Sequence, residues 1–214
     1  MPVQDDRREL ELIKIFHLRR PSIVSRIGMD AILEIQGKQI PFELKSTSTG
    51  SVTTVRDFSD EHIKKWKDKH WIIGVYNKPG RKLLYALYGT PTMMNPWITE
   101  KESYIRADVE LAKILPNLVT KEILKKVVGN KTTYSLDDAQ YLHKKQYSVA
   151  RYKKLMDLRG GYSQDRMLSI LKDRCQYLVN RGATLNNPHI PESYFKDWER
   201  ITRNYDGRLR ELVG

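Results

Sequence analysis

Two short apolar runs on either side of a glycine-containing turn constrain this chain most. Residues Ala31–Ile35 and Gln39–Leu44 flank Gln36-Gly37-Lys38. Runs of this length around such a turn predict a β-hairpin, in which successive side chains point to opposite faces of the sheet. The hairpin therefore decides which residues share a face before any long-range contact is considered.

Three charged residues of this hairpin are predicted to converge. Glu43 and Lys45 are two positions apart and share one face, whereas Leu44 points to the other. Asp30 precedes the first strand and comes to lie beside them when the hairpin closes. Charges beside apolar residues are costly to desolvate unless they are paired or bind a metal. Two carboxylates suit Mg²⁺, and a neighbouring lysine can orient or deprotonate a water, which together predict phosphodiester hydrolysis.

Asp30 followed by Glu43-x-Lys45 resembles the PD-(D/E)xK nuclease superfamily, and residues 26–77 as a whole resemble type II restriction endonucleases. Strand, turn, strand, polar loop, amphipathic helix and apolar strand follow one another there in the order of that superfamily's core. Met29 stands where the motif has proline. The resemblance implies that Asp30, Glu43 and the backbone carbonyl of Leu44 bind the metal. It also implies that Lys45 positions the nucleophilic water, so that Asp30, Glu43 and Lys45 are the catalytic residues.

The same resemblance implies a reaction and its partners. We expect Mg²⁺-dependent, sequence-specific cleavage of double-stranded DNA that leaves 5′-phosphate ends. Mn²⁺ is expected to substitute for Mg²⁺, and Ca²⁺ to support DNA binding without cleavage. Cutting both strands of a short palindrome requires two active sites, so a homodimer is expected. Two alternatives stay open: a structure-specific nuclease of the junction-resolvase or repair type, and a non-catalytic DNA-binding protein.

A further acidic residue is expected from the first predicted helix, residues 5–18. Nucleases of this superfamily often carry an extra acid on a helix before the metal-binding strand. Either Glu9 or Glu11 fits that description. It would bind a second metal ion, or it would contact the ligands of the first metal ion without binding the ion itself. Glu9 lies on the apolar stripe of Leu12 and Phe16. The alternative for each residue is an ordinary solvated helix carboxylate.

Net charge and cysteine content limit the classes of protein to which this chain can belong. A formal net charge of +12 in 214 residues and a pI of about 9.6 favour an anionic partner, nucleic acid before a membrane surface. The single cysteine, Cys175, excludes an internal disulfide framework. The charged N-terminus lacks an apolar segment typical of a secretion signal, and no apolar run approaches membrane-spanning length. A cytoplasmic location without membrane association is expected.

Two segments are candidates for DNA contact. Residues 46–57, which leave the strand that carries Lys45, are rich in hydroxyls and contain an arginine; a loop whose hydroxyls bond to their own backbone is the alternative. Residues 144–154 form the densest basic patch and contain interleaved tyrosines; a solvated helix face is the alternative. The predicted DNA-binding residues are Ser46, Thr53, Thr54, Arg56, Lys65, Lys144, Lys145 and Arg151.

The predicted fold class is α/β. A restriction-endonuclease-like core with a central mixed, mainly antiparallel β-sheet flanked by helices is expected over residues 1–130. A helical C-terminal region for DNA contact or dimerisation is expected over residues 131–214, either separate or compact with the core. Within this region the helical spacing of apolar residues predicts one helix at 137–159, another at 163–181 and a last one from Pro191 to about Arg203.

Overall fold

The computed structural model describes residues 4–21 and 28–214, and for residues 4 and 5 the backbone alone. The first two residues of the stretch that resembles restriction endonucleases, 26 and 27, lie outside this description. The chain forms two compact units, Met1–Tyr104 with Leu185–Gly214, and Ile105–Thr184. The predicted division at residue 130 differs from this one, because the last thirty residues return to the first unit and extend its sheet.

The described residues contain seven β-strands and eight α-helices. The strands are β1 Ala31–Ile35, β2 Lys38–Thr47, β3 Val52–Thr53, β4 His70–Tyr76, β5 Leu83–Gly89, β6 His189–Ile190 and β7 Glu199–Ile201. The helices are α1 Gln4–Ile15, α2 Asp60–Trp66, α3 Pro91–Leu118, α4 Lys121–Val128, α5 Leu136–His143, α6 Val149–Leu155, α7 Gln164–Gly182 and α8 Tyr205–Val213. A short 3₁₀ helix at Glu192–Phe195 precedes β7.

The main sheet is mixed and mostly antiparallel, as the sequence predicts. Its strand order is β1-β2-β4-β5-β7, and β2 with β4 is its parallel pair. Parallel neighbours require a crossover connection, and α2 lies in the connection between these two strands. The sequence also predicts that Leu83–Tyr88 pairs with the preceding strand as an edge strand. The pairing is present, but β5 is not at the edge, because β7 pairs with its other side.

The predicted hairpin is present with a tighter turn than expected. Gln36 and Gly37 have φ angles of 49° and 74°, so both central residues are left-handed and Lys38 already belongs to β2. Such two-residue turns match the twist of the flanking strands. The register pairs Ala31 with Phe42 and Ile35 with Lys38, which brings the residue before β1 level with Glu43.

Opposite faces of the sheet in the first unit pack against different helices. Leu44 and Phe42 belong to a buried core with Leu12 of α1, Phe16 just after this helix and Leu209 of α8. Glu43 and Lys45 alternate with these residues and therefore point to the other face. There α2 packs through a buried aromatic cluster in which the ring centroids of Trp66 and Trp71 are 5.1 Å apart. The result is a helix–sheet–helix arrangement, in agreement with the expected layers.

Three helix predictions need correction. The sequence also predicts a loop at residues 89–96 and a helix break at Pro116, but α3 begins at Pro91 and continues to Leu118. Burial of Met94, Trp97 and Ile98 stabilises this helix despite the proline at 96. The helix predicted from Pro191 to Arg203 is replaced by a 3₁₀ turn and β7.

No described helix is long and apolar enough to cross a membrane.

The second unit is helical and has its own core. The single helix predicted for residues 137–159 is two helices, α5 and α6, because Lys144 and Lys145 both take left-handed backbone angles with φ of 54°. The break lets His143 and Tyr152 meet, with the Tyr152 hydroxyl 3.0 Å from Nδ1 of His143 inside the core. Helix α7 agrees with its prediction, and the Ser163 side chain caps it as expected.

Candidate active site

The hairpin brings Asp30 to the two charged residues of β2. The backbone amide of Asp30 donates to the Phe42 carbonyl at 3.2 Å, which continues the β1–β2 ladder by one step. The Asp30 carboxylate in turn accepts the Leu44 backbone amide through Oδ2 at 2.9 Å. Asp30 is therefore fixed beside the strand by both its main chain and its side chain.

Lys45 lies among the three oxygen groups predicted to bind metal. Its Nζ is 2.6 Å from Oε1 of Glu43, 3.7 Å from Oδ2 of Asp30 and 3.2 Å from the Leu44 carbonyl oxygen. These are local consequences of strand geometry, since Glu43 and Lys45 share a face. The structure thus brings together the three residues that the motif singles out.

A second lysine reaches the same carboxylates from helix α2. The Nζ of Lys65 lies 2.8 Å from Oε2 of Glu43 and 3.5 Å from Oδ1 of Asp30. Its side chain is 6% exposed, and the Glu43 side chain is 0% exposed. The prediction that Lys65 contacts DNA therefore needs correction, because its ammonium pairs with the carboxylates of Asp30 and Glu43. Helical periodicity indicated the polar face of α2, but only the crossover decides that this face meets Glu43.

The two lysines keep the buried Glu43 charged. Burial alone raises the pKa of this carboxyl, but the ammonium groups of Lys45 and Lys65 more than offset it and hold the pKa below its ordinary value. Burial opposes the charge of Lys45 as well, yet Glu43 and Asp30 raise its pKa above the usual range. Glu43 and Lys45 are therefore both ionised at neutral pH.

Lys69, just after α2, is a third cation of this region. It is 7% exposed, and its Nζ donates to the Gly28 carbonyl oxygen at 3.5 Å. Burial, together with the positive charge of Lys65 and against the opposing attraction of Glu43, lowers the pKa of Lys69 to about 8. The sequence predicts Lys69 and His70 in the last turn of this helix, but α2 ends at Trp66 and His70 begins β4.

The donor set fits a hard divalent cation. Two carboxylates and one backbone carbonyl surround the position of the Lys45 ammonium, and oxygen donors of this kind suit Mg²⁺. A group of three or more Asp, Glu, His or Cys side chains placed for metal binding does not occur among the described residues. An ion held by Asp30, Glu43 and the Leu44 carbonyl would therefore keep several waters and would replace the Lys45 ammonium.

Glu9 and Glu11, the two candidates for an additional acid, have different surroundings. Burial and the negative charge of Asp30 raise the pKa of Glu9, which lines the same pocket as Lys45. Glu9 also pairs with Arg20 at 3.5 Å. Glu11 instead accepts the hydroxyl of Tyr76 at 3.1 Å. Of the two, Glu9 is the acid that lies near Asp30 and Lys45.

A pocket of about 330 Å³ opens next to Lys45. Its lining is rich in hydroxyl groups and includes Arg8, Glu9, Leu12, Leu44, Lys45, Ser46, Thr47, Ser48, Thr49, Ser51, Thr53 and Thr54. Lys45 lines this pocket, whereas Lys65 is not among the lining residues. Hydroxyls and an ammonium facing one space are suitable partners for phosphate oxygens.

The predicted DNA-contact residues of the 46–57 segment differ in accessibility. Ser46 accepts a hydrogen bond from Arg8 at 3.3 Å, and Thr53 is exposed beside His189. Thr54 is buried, and its hydroxyl donates to the Pro188 carbonyl at 2.8 Å, so a role for this side chain in DNA contact needs correction. Arg56 is exposed.

The basic patch of the second unit is exposed. Lys144 and Lys145 lie in the turn between α5 and α6, and Lys144 stacks its ammonium over the Tyr141 ring at 4.2 Å. Arg151 on α6 lies over the Tyr147 ring at 3.6 Å. The side chains predicted to contact DNA here are therefore available at the surface, held by aromatic neighbours.

Comparison with known proteins identifies no relative: no protein-family model matches the chain, and no curated protein matches its sequence.

Proposed function

We propose that this protein is a Mg²⁺-dependent, sequence-specific endonuclease that cleaves double-stranded DNA, resembling a type II restriction enzyme. One observation carries the proposal. The carboxylates of Asp30 and Glu43 and the Leu44 carbonyl oxygen surround the Nζ of Lys45 within 3.7 Å, at the edge of a hydroxyl-lined pocket. A salt bridge that only stabilises the fold requires neither a second carboxylate and a backbone carbonyl around the ammonium nor an open pocket beside it.

The order of elements around the site supports the resemblance. Strands β1 and β2 carry the motif, α2 follows, and β4 returns parallel to β2. This is the succession of hairpin, helix and strand that the PD-(D/E)xK pattern implies. We therefore propose that the mixed sheet of the first unit is a restriction-endonuclease-like core.

Each residue of the cluster has a role in the proposed reaction. Asp30, Glu43 and the Leu44 carbonyl would hold Mg²⁺, which when bound neutralises charge on the phosphate and makes a nearby water more acidic. Lys45, as an ammonium, donates a hydrogen bond that orients the nucleophilic water. Attack in line forms a new P–O bond while the bond to the 3′-oxygen breaks. The attacking water releases its proton to solvent and the leaving 3′-oxygen takes one up from solvent, which leaves a 5′-phosphate and a 3′-hydroxyl.

The charge of the chain supports an anionic substrate. With a net charge of +12, backbone phosphates attract the protein regardless of sequence, and the exposed Arg56, Lys144, Lys145 and Arg151 are candidates for such contacts. Cleavage of both strands requires two copies of the site, so we propose a homodimer with twofold symmetry. We also propose that Mn²⁺ replaces Mg²⁺ and that Ca²⁺ permits binding alone.

Digestion of a plasmid of known sequence with the purified protein and Mg²⁺ tests the proposal. We expect discrete fragments whose sequenced ends share one short motif and carry 5′-phosphates. Asp30→Asn and Glu43→Gln should abolish cleavage and leave DNA binding in Ca²⁺ intact. Nicking of branched DNA alone would identify a structure-specific nuclease instead. Full DNA binding without any cleavage in Mg²⁺ or Mn²⁺ would identify a non-catalytic binding protein.

A further inference from the structure

The carboxylate pair is bracketed by two lysines that use different oxygens. Lys45 contacts Oε1 of Glu43 and Oδ2 of Asp30, whereas Lys65 contacts Oε2 of Glu43 and Oδ1 of Asp30. The corresponding distances are similar, at 2.6 and 3.7 Å for Lys45 and 2.8 and 3.5 Å for Lys65. Each ammonium therefore spans both carboxylates through its own pair of oxygens.

The surroundings of the two lysines are not equivalent. Lys45 is 17% exposed and lines the pocket, whereas Lys65 is 6% exposed and does not line it. Ile63 and Trp66 anchor α2 in the core on both sides of Lys65 in sequence. The pocket therefore borders the Lys45 side chain and not the Lys65 side chain.

We infer that Lys65 is a positioning residue of this site, whose ammonium holds the Asp30 and Glu43 carboxylates side by side while a divalent cation takes the place of Lys45. The inference rests on the proposed function. With Lys45 displaced, two carboxylates and the Lys65 ammonium carry a net charge of −1, which still attracts a divalent cation. The Oε2 atom of Glu43 is buried, and the Lys65 ammonium 2.8 Å away is its counter-charge. Without Lys65 that oxygen would have no counter-charge, and the carboxylate would lose its fixed orientation.

Calcium titration of the full-length protein by calorimetry separates positioning from simple charge. Lys65→Met and Lys45→Met each remove one positive charge next to the carboxylates, so charge alone would tighten Ca²⁺ binding in both variants. Positioning by Lys65 predicts that Lys65→Met weakens Ca²⁺ binding about 10-fold or more, the usual effect of losing a group that orients metal ligands. Lys45→Met should bind Ca²⁺ as tightly as the unsubstituted protein or more tightly.

Two further variants keep the test decisive. Lys65→Arg can still span both carboxylates and should retain Ca²⁺ affinity within about threefold, a margin small beside the ordinary loss. Lys65→Gln is polar and provides the same comparison if Lys65→Met does not fold, as judged by circular dichroism. Ca²⁺ binding by Lys65→Met or Lys65→Gln that is as tight as that of the unsubstituted protein would overturn the inference.

Cleavage assays distinguish this inference from the proposed function. If the unsubstituted protein cuts DNA and Lys65→Met cuts it with the same Mg²⁺ dependence, the positioning role is overturned and the nuclease stands. If the Ca²⁺ contrast between the two Met variants is observed and no protein cuts DNA, Lys65 positions a metal site that is not a nuclease. Absence of Ca²⁺ binding by the unsubstituted protein would overturn the inference itself.

Discussion

The Nζ of Lys65 on α2 lies 2.8 Å from Oε2 of Glu43 on β2, and both side chains are almost completely withdrawn from solvent. A buried ion pair is weak evidence for stability, because the cost of desolvation offsets much of its attraction. Removing one partner alone is different, since the remaining charge stays buried. The pair therefore couples the stability of the first unit to the same residues that form its candidate active site.

This coupling predicts a non-additive effect on stability. Lys65→Met should lower the free energy of unfolding by about 3–5 kcal/mol, because Glu43 keeps only Lys45 as a counter-charge. Combining Lys65→Met with Glu43→Gln should recover at least about half of that loss, since a neutral amide replaces the stranded carboxylate. Urea unfolding of the single and double variants measures the coupling. Additive losses would mean that the two side chains do not depend on each other.

Catalysis should depend on Lys45 far more than on another lysine of the same strand. Lys45→Met is expected to reduce DNA cleavage by about 100-fold or more, because the water loses the group that orients it. Lys38→Met is the matched control, at the exposed start of β2 and separated from Asp30 by the length of β1. Initial rates of plasmid cleavage measure both. Equal rates for the two variants would argue against a catalytic Lys45.

Arg56 should contribute to DNA binding through phosphate contact. Arg56→Gln is expected to weaken binding at moderate salt and to reduce the slope of log K against log salt by about 1, as for the loss of one phosphate contact. Lys38→Gln, at the far end of the hairpin, should leave the slope unchanged. Fluorescence anisotropy with a labelled duplex in Ca²⁺ at several salt concentrations gives both slopes. An unchanged slope for Arg56→Gln would place this residue away from the phosphates.

Stability should fall below neutral pH through a buried histidine of the second unit. Burial lowers the pKa of His143 from its ordinary value of 6.5, so the folded state binds this proton more weakly than the unfolded chain. The stability that the neutral ring contributes is complete above pH 6.5 and is lost as the pH falls through the folded pKa.

His143→Asn should therefore flatten the decrease in melting temperature between about pH 7.5 and 5.5, a range that brackets the ordinary histidine pKa. The exposed His189 provides the control, and His189→Asn should leave the decrease as it is. A decrease of the same steepness in His143→Asn would show that other groups cause it.

A side chain at Gly37 should destabilise the hairpin turn moderately. Gly37→Ala is expected to cost about 1 kcal/mol, because the residue has a φ of 74° and the added methyl group meets backbone strain, although there is open space around it. Gln36→Asn should stabilise slightly, since asparagine adopts left-handed angles more readily than glutamine. Thermal unfolding of the two variants checks the opposite signs.

The sequence by itself determined the hairpin and the shared face of Glu43 and Lys45. Side chains alternate along a strand, and a two-residue turn requires left-handed backbone angles. Both effects are local, so residues 30–45 are sufficient to specify the hairpin and its two faces. Capping of α7 by Ser163 could be predicted for the same reason. In contrast, the break between α5 and α6 at Lys144 and Lys145 brings His143 against Tyr152, a contact that local periodicity does not contain.

Only the tertiary structure decided which distant groups meet these local elements. Lys65 reaches Glu43 because β2 and β4 are parallel and α2 must cross between them. Thr54 is withdrawn from solvent because its hydroxyl bonds to Pro188, 134 residues away in sequence. Strand β7 completes the sheet although its three residues carry no periodic signal. Contacts of this kind arise from the burial of surfaces contributed by the whole chain, and short-range patterns cannot specify them.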